Sequence, residues 1–344
     1  MPEDVSNSTP ALPTIAEVQQ KTLEKFGCRP CQWQCEVVLA QLEGKQDVVC
    51  ISGTGSGKTL VFWMPLLFHP DGIQVVVTPL NVLGSQNKRK LEEVDIPAIN
   101  VTSDTSTSSN IEEILAFKYR VVMVNPEIAF KPRGVFERIW KSAAFMSRVI
   151  SIVWDKAHLI KGWSSFRPEL GQASMLRELM CMPKHFLLAS ATMPEEVLSD
   201  VLKIAAMPRE SIKFFHRSND RPNIYLTVQK IRHPIASFKD LNFLILEGWI
   251  PGTYLPHFLI FFGSIEESIQ AAMVLRQWLP PAFRERIVWF NADNTPTYRD
   301  KTTGEYKAHS LFGLCCTDVF GLGIDIPDVD HRYARLIFSC MPFD

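Results

Sequence analysis

The sequence predicts an α/β protein of two domains, each built on a parallel sheet, and three observations carry that expectation. Short β-branched runs alternate with longer mixed segments along the whole chain, the rhythm of strands joined by crossover helices. At 344 residues the chain has the length of about two domains at roughly 150 residues each. A run of turn formers, Phe214–Asn223 (FFHRSNDRPN), separates two sets of strands and is the expected linker.

In chain order, the first set of expected strands is Asp47–Ile51, Gln74–Thr78, Arg120–Val124, Val149–Trp154 and His185–Ala189. The second set is Phe258–Phe262, Ile287–Phe290, Leu311–Cys316 and Arg335–Ser339. Near-continuous apolar runs of this kind suit strands covered on both faces. The Ser/Thr-rich stretch Val101–Asn110 reads as a loop, in which Ser109 and Glu112 form a capping-box pattern opening a helix at Ile111. Cys315 and Cys316 are neighbours in an apolar run, so they are expected on opposite faces of a strand.

Hydrophobic residues make up 46% of the chain and charged residues 21%, which excludes a disordered or fibrous chain. Thirty-six basic and 37 acidic side chains leave a net charge of −1, so any phosphate-binding surface must be local. The polar N-terminus, MPEDVSNSTP, lacks the basic start and apolar core of a signal peptide, and no apolar stretch of about 18 residues occurs. The expectation is a protein that is neither secreted nor membrane-embedded. Its eight cysteines are then expected as reduced thiols. Cys28, Cys31 and Cys35 have metal-like spacing, but no fourth ligand or second knuckle follows, so they too are expected as thiols.

The strongest chemical signal is Ser52–Thr59, SGTGSGKT, directly after the strand Asp47–Ile51. In such a loop Gly53, Thr54, Gly55, Ser56 and Gly57 offer backbone N–H groups to a phosphate chain. Lys58 reaches the β and γ phosphates, and the Thr59 hydroxyl can ligate Mg²⁺. The first position of the motif is Ser52 where glycine is usual, and three further glycines keep the loop permissive. A companion carboxylate is needed at the end of a second apolar strand to hold the metal. Asp155, after Val149–Trp154 and opening the run Asp155-Lys156-Ala157-His158, supplies it.

At these residues a resemblance appears. DKAH at 155–158 resembles the DEAH box of superfamily 2 helicases, and the following LIKGWSSFRPEL is similar to the aromatic-rich loop of RecQ-type DNA helicases. Phe26-Gly27 and Arg29–Gln34 resemble the family's adenine-recognition motif. Its glutamine corresponds best to Gln34, with Gln32 as rival. Thr78-Pro79-Leu80 with Gln86 resembles motif Ia, Asn125-Pro126-Glu127 motif Ib, Ser190-Ala191-Thr192 motif III and Phe258–Phe262 motif IV. Asp220–Ile224, DRPNI, matches the interdomain signature, and Thr317–Asp328, TDVFGLGIDIPD, resembles motif V. The resemblance covers about residues 22–344.

It implies two RecA-like domains closing over ATP: an N-terminal extension at 1–21, an ATP-binding domain at 22–216 and a second, incomplete domain at 217–344. The implied activity is ATP-driven 3′ to 5′ movement along single-stranded DNA with unwinding of partly duplex DNA, in the nucleus if the source is eukaryotic and otherwise in the cytoplasm. Gln34 would read adenine, while Gly323 and Asp325 would approach ATP from the second domain. Thr78, Pro79, Asn125, Pro126 and Thr317 would lie toward DNA, and His158 with Ser190 and Thr192 would couple nucleotide state to it. Trp163 and Phe166 suit stacking on unpaired bases and Arg167 suits a phosphate, the alternative being two core aromatics.

Two departures stand out. Where the family has glutamate to polarise the attacking water, this chain has Lys156, an ammonium that cannot accept the proton. It is expected to pair with Asp155 or the γ-phosphate and to compete with Mg²⁺. Glu127 and Glu169 are the carboxylates available in sequence to serve in its place. The chain also ends at Met341-Pro342-Phe343-Asp344, before the arginine-bearing motif VI would begin. Asn291 stands where the family often has histidine. Two expectations follow: a working helicase whose box variation is compensated, or a degenerate core that binds ATP and single-stranded DNA with little turnover. An RNA helicase is a third, disfavoured by the W-x-x-F-R-P-E loop.

Overall fold

A computed structural model describes residues 11–79, 81–131, 133–162, 173–220, 222, 224–225, 227–245, 249–252, 255–321 and 331–334. The chain divides into two units, Met1–Asn223 and Ile224–Asp344.

The first unit opens with helix α1 (Ile15–Phe26). Thr14 caps it, accepting from the Glu17 amide while the Glu17 carboxylate reaches back to the Thr14 amide, and Gly27 closes it in the left-handed region. Val18 of this helix is buried in the core, so the folded unit begins before residue 22, inside the expected extension. Helix α2 (Gln32–Glu43) follows. Seven strands then form one parallel sheet: β1 (Asp47–Ile51), β2 (Ile73–Val77), β3 (Ala98–Val101), β4 (Val121–Val124), β5 (Val149–Asp155), β6 (Phe186–Ser190) and β7 (Ile212–His216). Their order is β3-β4-β2-β5-β6-β1-β7.

Both faces of this sheet are covered, and the side chains divide by parity as strand geometry requires. Val49, Ile51, Val75, Ile152, Trp154 and Leu188 belong to one core. Val48, Cys50, Val76, Val153, Leu187 and Ala189 belong to the other. At the amino ends of the central strands Arg177 donates to Asp47 (2.6 Å), whose other oxygen accepts from the Phe186 amide (2.8 Å). That pair locks β1 to β6 at the end away from the glycine loop.

The five strands expected in this unit are present, with ends shifted by a residue or so, and two more accompany them. β3 ends on Val101, the first residue of the expected loop, and β7 runs through the first residues of the expected linker. The expected capping box is displaced. The helix runs over Ser108–Leu115, and Thr107, not Ser109, caps it by accepting from the Asn110 amide.

The second unit carries a four-stranded parallel sheet, β8 (Phe258–Phe261), β9 (Ile287–Phe290), β10 (Gly313–Cys316) and β11 (His331–Ala334), in the order β11-β8-β10-β9. Three of these lie where expected. β11 instead precedes the expected Arg335–Ser339, which falls outside the described residues. Cys315 and Cys316 are both buried, in different cores on opposite faces of β10. A Cβ at Gly313 would lie 2.1 Å from the Phe258 ring, so glycine there allows β8 and β10 to pair. Among the described residues no helix is long and apolar enough to cross a membrane.

Candidate active site

In the first sheet β6 lies between β5 and β1. Because all three run parallel, their carboxyl ends open on one edge, where ligands of α/β sheets bind. The glycine loop leaves β1, Asp155 ends β5, and Ser190 ends β6. Both flanking segments are tied to the strand between them. The Ser52 amide donates to the Ser190 carbonyl (3.0 Å), and the Ala157 amide donates to the Ala189 carbonyl (2.9 Å). Residues about a hundred positions apart in sequence thus meet through one shared strand.

Within the loop, Gly55 and Gly57 both adopt φ of +80°. A Cβ at Gly57 would sit 2.6 Å from Gln34 Nε2. Gln34 is buried, with Nε2 donating to the Gly57 carbonyl (3.0 Å) and Oε1 accepting from the Cys31 amide (2.7 Å). Of the two rival glutamines, Gln34 touches the glycine loop. Gln32 is exposed and bonds to Glu36 on its own helix.

The Lys58 ammonium folds back on the loop, donating to the Ser52 carbonyl (2.5 Å) and the Gly53 carbonyl (2.8 Å). Burial, reinforced by the positive charge of Lys156, pulls its pKa down to about 8. Thr59 follows at the start of the short helix Leu60–Trp63. Thr54 and Gly55 are exposed, while Ser56 is half-buried.

Asp155 is half-buried at the mouth. Burial raises its pKa, against the opposing pull of Lys156 and Lys58. Lys156 holds the left-handed conformation at φ of +57°, and its amide donates to Asp155 Oδ1 (2.9 Å). His158 Nδ1 lies 2.7 Å from Ser190 Oγ, and that hydroxyl donates to the Thr192 carbonyl (2.7 Å). Burial and then the two lysines push the His158 pKa down to about 4, so the ring is neutral at physiological pH.

Thr78, Pro79, Asn125 and Pro126 lie at the carboxyl ends of β2 and β4, on the same edge of the sheet. The Thr78 amide donates to the Val124 carbonyl (3.0 Å), and Asn125 caps the turn Pro126–Ala129 by accepting from the Ile128 amide. Glu127 lies in that turn. In the second unit Thr317 follows β10, its amide bonded to the Phe290 carbonyl (3.2 Å). Asn291 is buried and braces its turn through Asn294 and Asp293. Trp163, Phe166, Arg167, Glu169, Gly323 and Asp325 lie outside the described residues.

Sequence reasoning missed the backbone partners of Lys58 and a segment beside the loop. Asn219 Cα and the Ser218 carbonyl come within 4 Å of where a Cβ on Gly53 would sit. They are held there because the Arg217 amide donates to the Ile51 carbonyl (2.8 Å). The pairing of β7 with β1 continues into the expected linker and brings it to the glycine loop.

A family model described as DEAD/DEAH box helicase matches residues 30–201, half of the chain, a span that includes Gln34, the glycine loop, the DKAH box and Ser190–Thr192. The chain belongs to the DEAD/DEAH box helicase family. Among curated relatives, the rat ATP-dependent DNA helicase Q1 is 27% identical over 314 residues, covering 89% of this chain and 48% of the relative. The probable ATP-dependent DNA helicase RecS of Bacillus subtilis is 25% identical, covering 92% of this chain and 60% of the relative. Both are RecQ-family helicases, in keeping with the sequence resemblance, and this chain spans about half to three-fifths of their length. A solved structure of the DUF1998 helicase MrfA bound to DNA and AMPPNP superposes with a TM-score of 0.66 over 95% of this chain and 47% of that one, at 17% identity. The fold is therefore RecA-like.

Proposed function

We propose that this chain is the ATP-binding core of a RecQ-type DNA helicase, acting on single-stranded or partly duplex DNA with 3′ to 5′ polarity. The observation that carries this reading is the meeting of the glycine loop, Asp155 and the His158–Ser190 pair at the ends of three adjacent parallel strands. In the proposal residues 22–216 bind nucleotide, residues 217–344 form the second motor domain, and a eukaryotic source places it in the nucleus. Gln34 braces the loop beside the adenine position, and the amides of Gly53–Thr59 surround the phosphates. Lys58 leaves its two carbonyls to meet the β and γ phosphates. The family also implies Mg²⁺, and the Thr59 hydroxyl and Asp155 carboxylate are hard oxygen donors of the kind it takes. When bound, the ion would neutralise charge developing on the phosphates.

Lys156 supports a second reading, in which nucleotide is bound with little turnover. Lys156 stands where the family's water-polarising carboxylate would be, its ammonium has no lone pair to accept the proton, and general base catalysis contributes about 10²- to 10⁴-fold. Steady-state ATPase with and without single-stranded DNA, for the wild type, K156E and K58A, separates the readings. Robust DNA-stimulated turnover by the wild type that K58A abolishes supports the working motor. Weak turnover that K156E raises supports the second reading. Competition between matched DNA and RNA strands tests the nucleic-acid class.

A further inference from the structure

Lys156 changes the ligand as well as the chemistry. Three backbone bonds fix its position: its amide on Asp155 Oδ1 (2.9 Å), its carbonyl accepting from the Leu159 amide (2.8 Å), and the next amide, of Ala157, on the Ala189 carbonyl (2.9 Å). Holding a lysine at φ of +57° between those bonds carries a conformational penalty that a glycine would avoid. The half-buried residue is thereby kept at the strand edge where the loop opens. Its charge acts on Lys58, Asp155 and His158, the three ionisable groups around the phosphate position. Among the described residues no carboxylate comes within ion-pair distance of its ammonium.

In the usual arrangement of this loop, a triphosphate is neutralised by one lysine and one divalent cation. Here two lysines serve one carboxylate: Lys156 follows Asp155 directly at the end of β5, and Lys58 lies in the loop tied to the next strand, and the positive charge of both opposes the rise that burial gives the Asp155 pKa. One oxygen of that carboxylate is engaged by the Lys156 amide, and His158 is neutral. A divalent cation drawn to Asp155 meets the repulsion of both lysines, and the charge it would bring is already present. The donor set still contains oxygens that suit Mg²⁺; the charge around them does not.

We propose that this site takes a nucleoside triphosphate free of divalent metal, with the Lys156 ammonium standing in for the cation on the terminal phosphates. The proposal rests on the nucleotide reading of the loop and adds the form in which the nucleotide is held.

Binding of N-methylanthraniloyl-ATP to the full chain, in MgCl₂ and in EDTA, tests it. The wild type is expected to show affinities within about threefold of each other in the two buffers, while K156E and K156Q lose about tenfold or more in EDTA relative to MgCl₂, equivalent to about 1.4 kcal/mol or more. Protection from thermal unfolding by ATP in EDTA gives an independent readout, present in the wild type and reduced in both variants. A wild type that binds in MgCl₂ and loses about tenfold or more in EDTA overturns the proposal and leaves the nucleotide reading standing. So does a K156E variant that is as indifferent to metal as the wild type. Absence of binding in both buffers overturns the nucleotide reading and the proposal together. The wild-type comparison decides the form of the ligand even where a variant fails to fold.

Discussion

His158 Nδ1 and Ser190 Oγ lie 2.7 Å apart, and the direction of that hydrogen bond follows from its neighbour. The serine hydroxyl donates its one proton to the Thr192 carbonyl. The histidine must therefore donate, which places its proton on Nδ1 and leaves Nε2 bare. The tautomer is thus set by a residue 32 positions away, on the strand next to the one that carries the box.

A pH dependence of stability follows. The folded chain resists protonating His158 down to about pH 4, whereas the unfolded chain takes that proton near 6.5. Between those values the unfolded state binds more protons, so this histidine makes stability fall as pH drops from about 6.5 to 4, with no contribution to the slope above that window. Urea midpoints measured across the window check it. H158N keeps a donor for Ser190 and cannot titrate, so its profile is expected to be flatter; a wild-type slope retained in H158N would show that the proton goes elsewhere.

Gly57 and Gln34 form a second testable pair. G57A combines φ of +80° with a Cβ 2.6 Å from the glutamine amide, and is expected to cost about 1–3 kcal/mol. Q34A leaves the Cys31 amide and the loop carbonyl without their partner, a loss of about 1–2 kcal/mol. The exposed Q32A should stay within about 0.5 kcal/mol of the wild type. Denaturant unfolding of the three variants gives the ranking, and an equal loss in Q32A and Q34A would contradict the bracing role.

Much of this was legible in local sequence. The central strands announce themselves as β-branched runs because both faces are buried, and the glycine loop and Asp155 are recognisable because their chemistry is written in consecutive residues. β7 was missed because it is an edge strand, its residues half-buried or exposed, so the apolar signal is thin beside the turn formers that follow. β3 is only four residues, buried throughout, and runs straight into the Ser/Thr-rich stretch, so its pairing with β4 is what marks it as a strand. The His158–Ser190 bond and the retreat of Lys58 onto the Ser52 and Gly53 carbonyls depend on which strands are neighbours and on backbone direction. Neither can be read from spacing.

Thiol chemistry gives a third check. Cys28, Cys31 and Cys181 are exposed, while Cys35, Cys50, Cys315 and Cys316 are buried. Burial pushes the Cys50 thiol up to about 11, and raises those of Cys35, Cys315 and Cys316. Thiolate is the reactive form. Alkylation of the native protein followed by peptide mapping should therefore label Cys28, Cys31 and Cys181 first, and the four buried thiols only on unfolding. Early labelling of Cys315 or Cys316 would mean that β10 is accessible in the native state.

The last prediction concerns a buried polar network beneath the glycine loop. Ser151 Oγ lies 3.0 Å from both Gln41 Oε1 and Gln74 Oε1, and Gln74 Nε2 donates to Gln41 Oε1 (3.3 Å). Gln41 Nε2 donates to the Val61 carbonyl (2.9 Å), on the short helix that follows the loop. One hydroxyl proton cannot serve both glutamines, so Ser151 holds whichever acceptor the amides leave less satisfied, and the three side chains act as a unit. Q41A is expected to destabilise by about 2–3 kcal/mol, because it strips partners from Ser151, Gln74 and the Val61 carbonyl together. In a double-mutant cycle Q41A and Q74A should couple by about 0.5–3 kcal/mol, the second change costing less once the first has broken the network. Because Val61 lies two residues beyond Thr59, Q41A should also weaken nucleotide binding, whereas S151A should not. Additive losses would mean that each glutamine is held by the backbone alone.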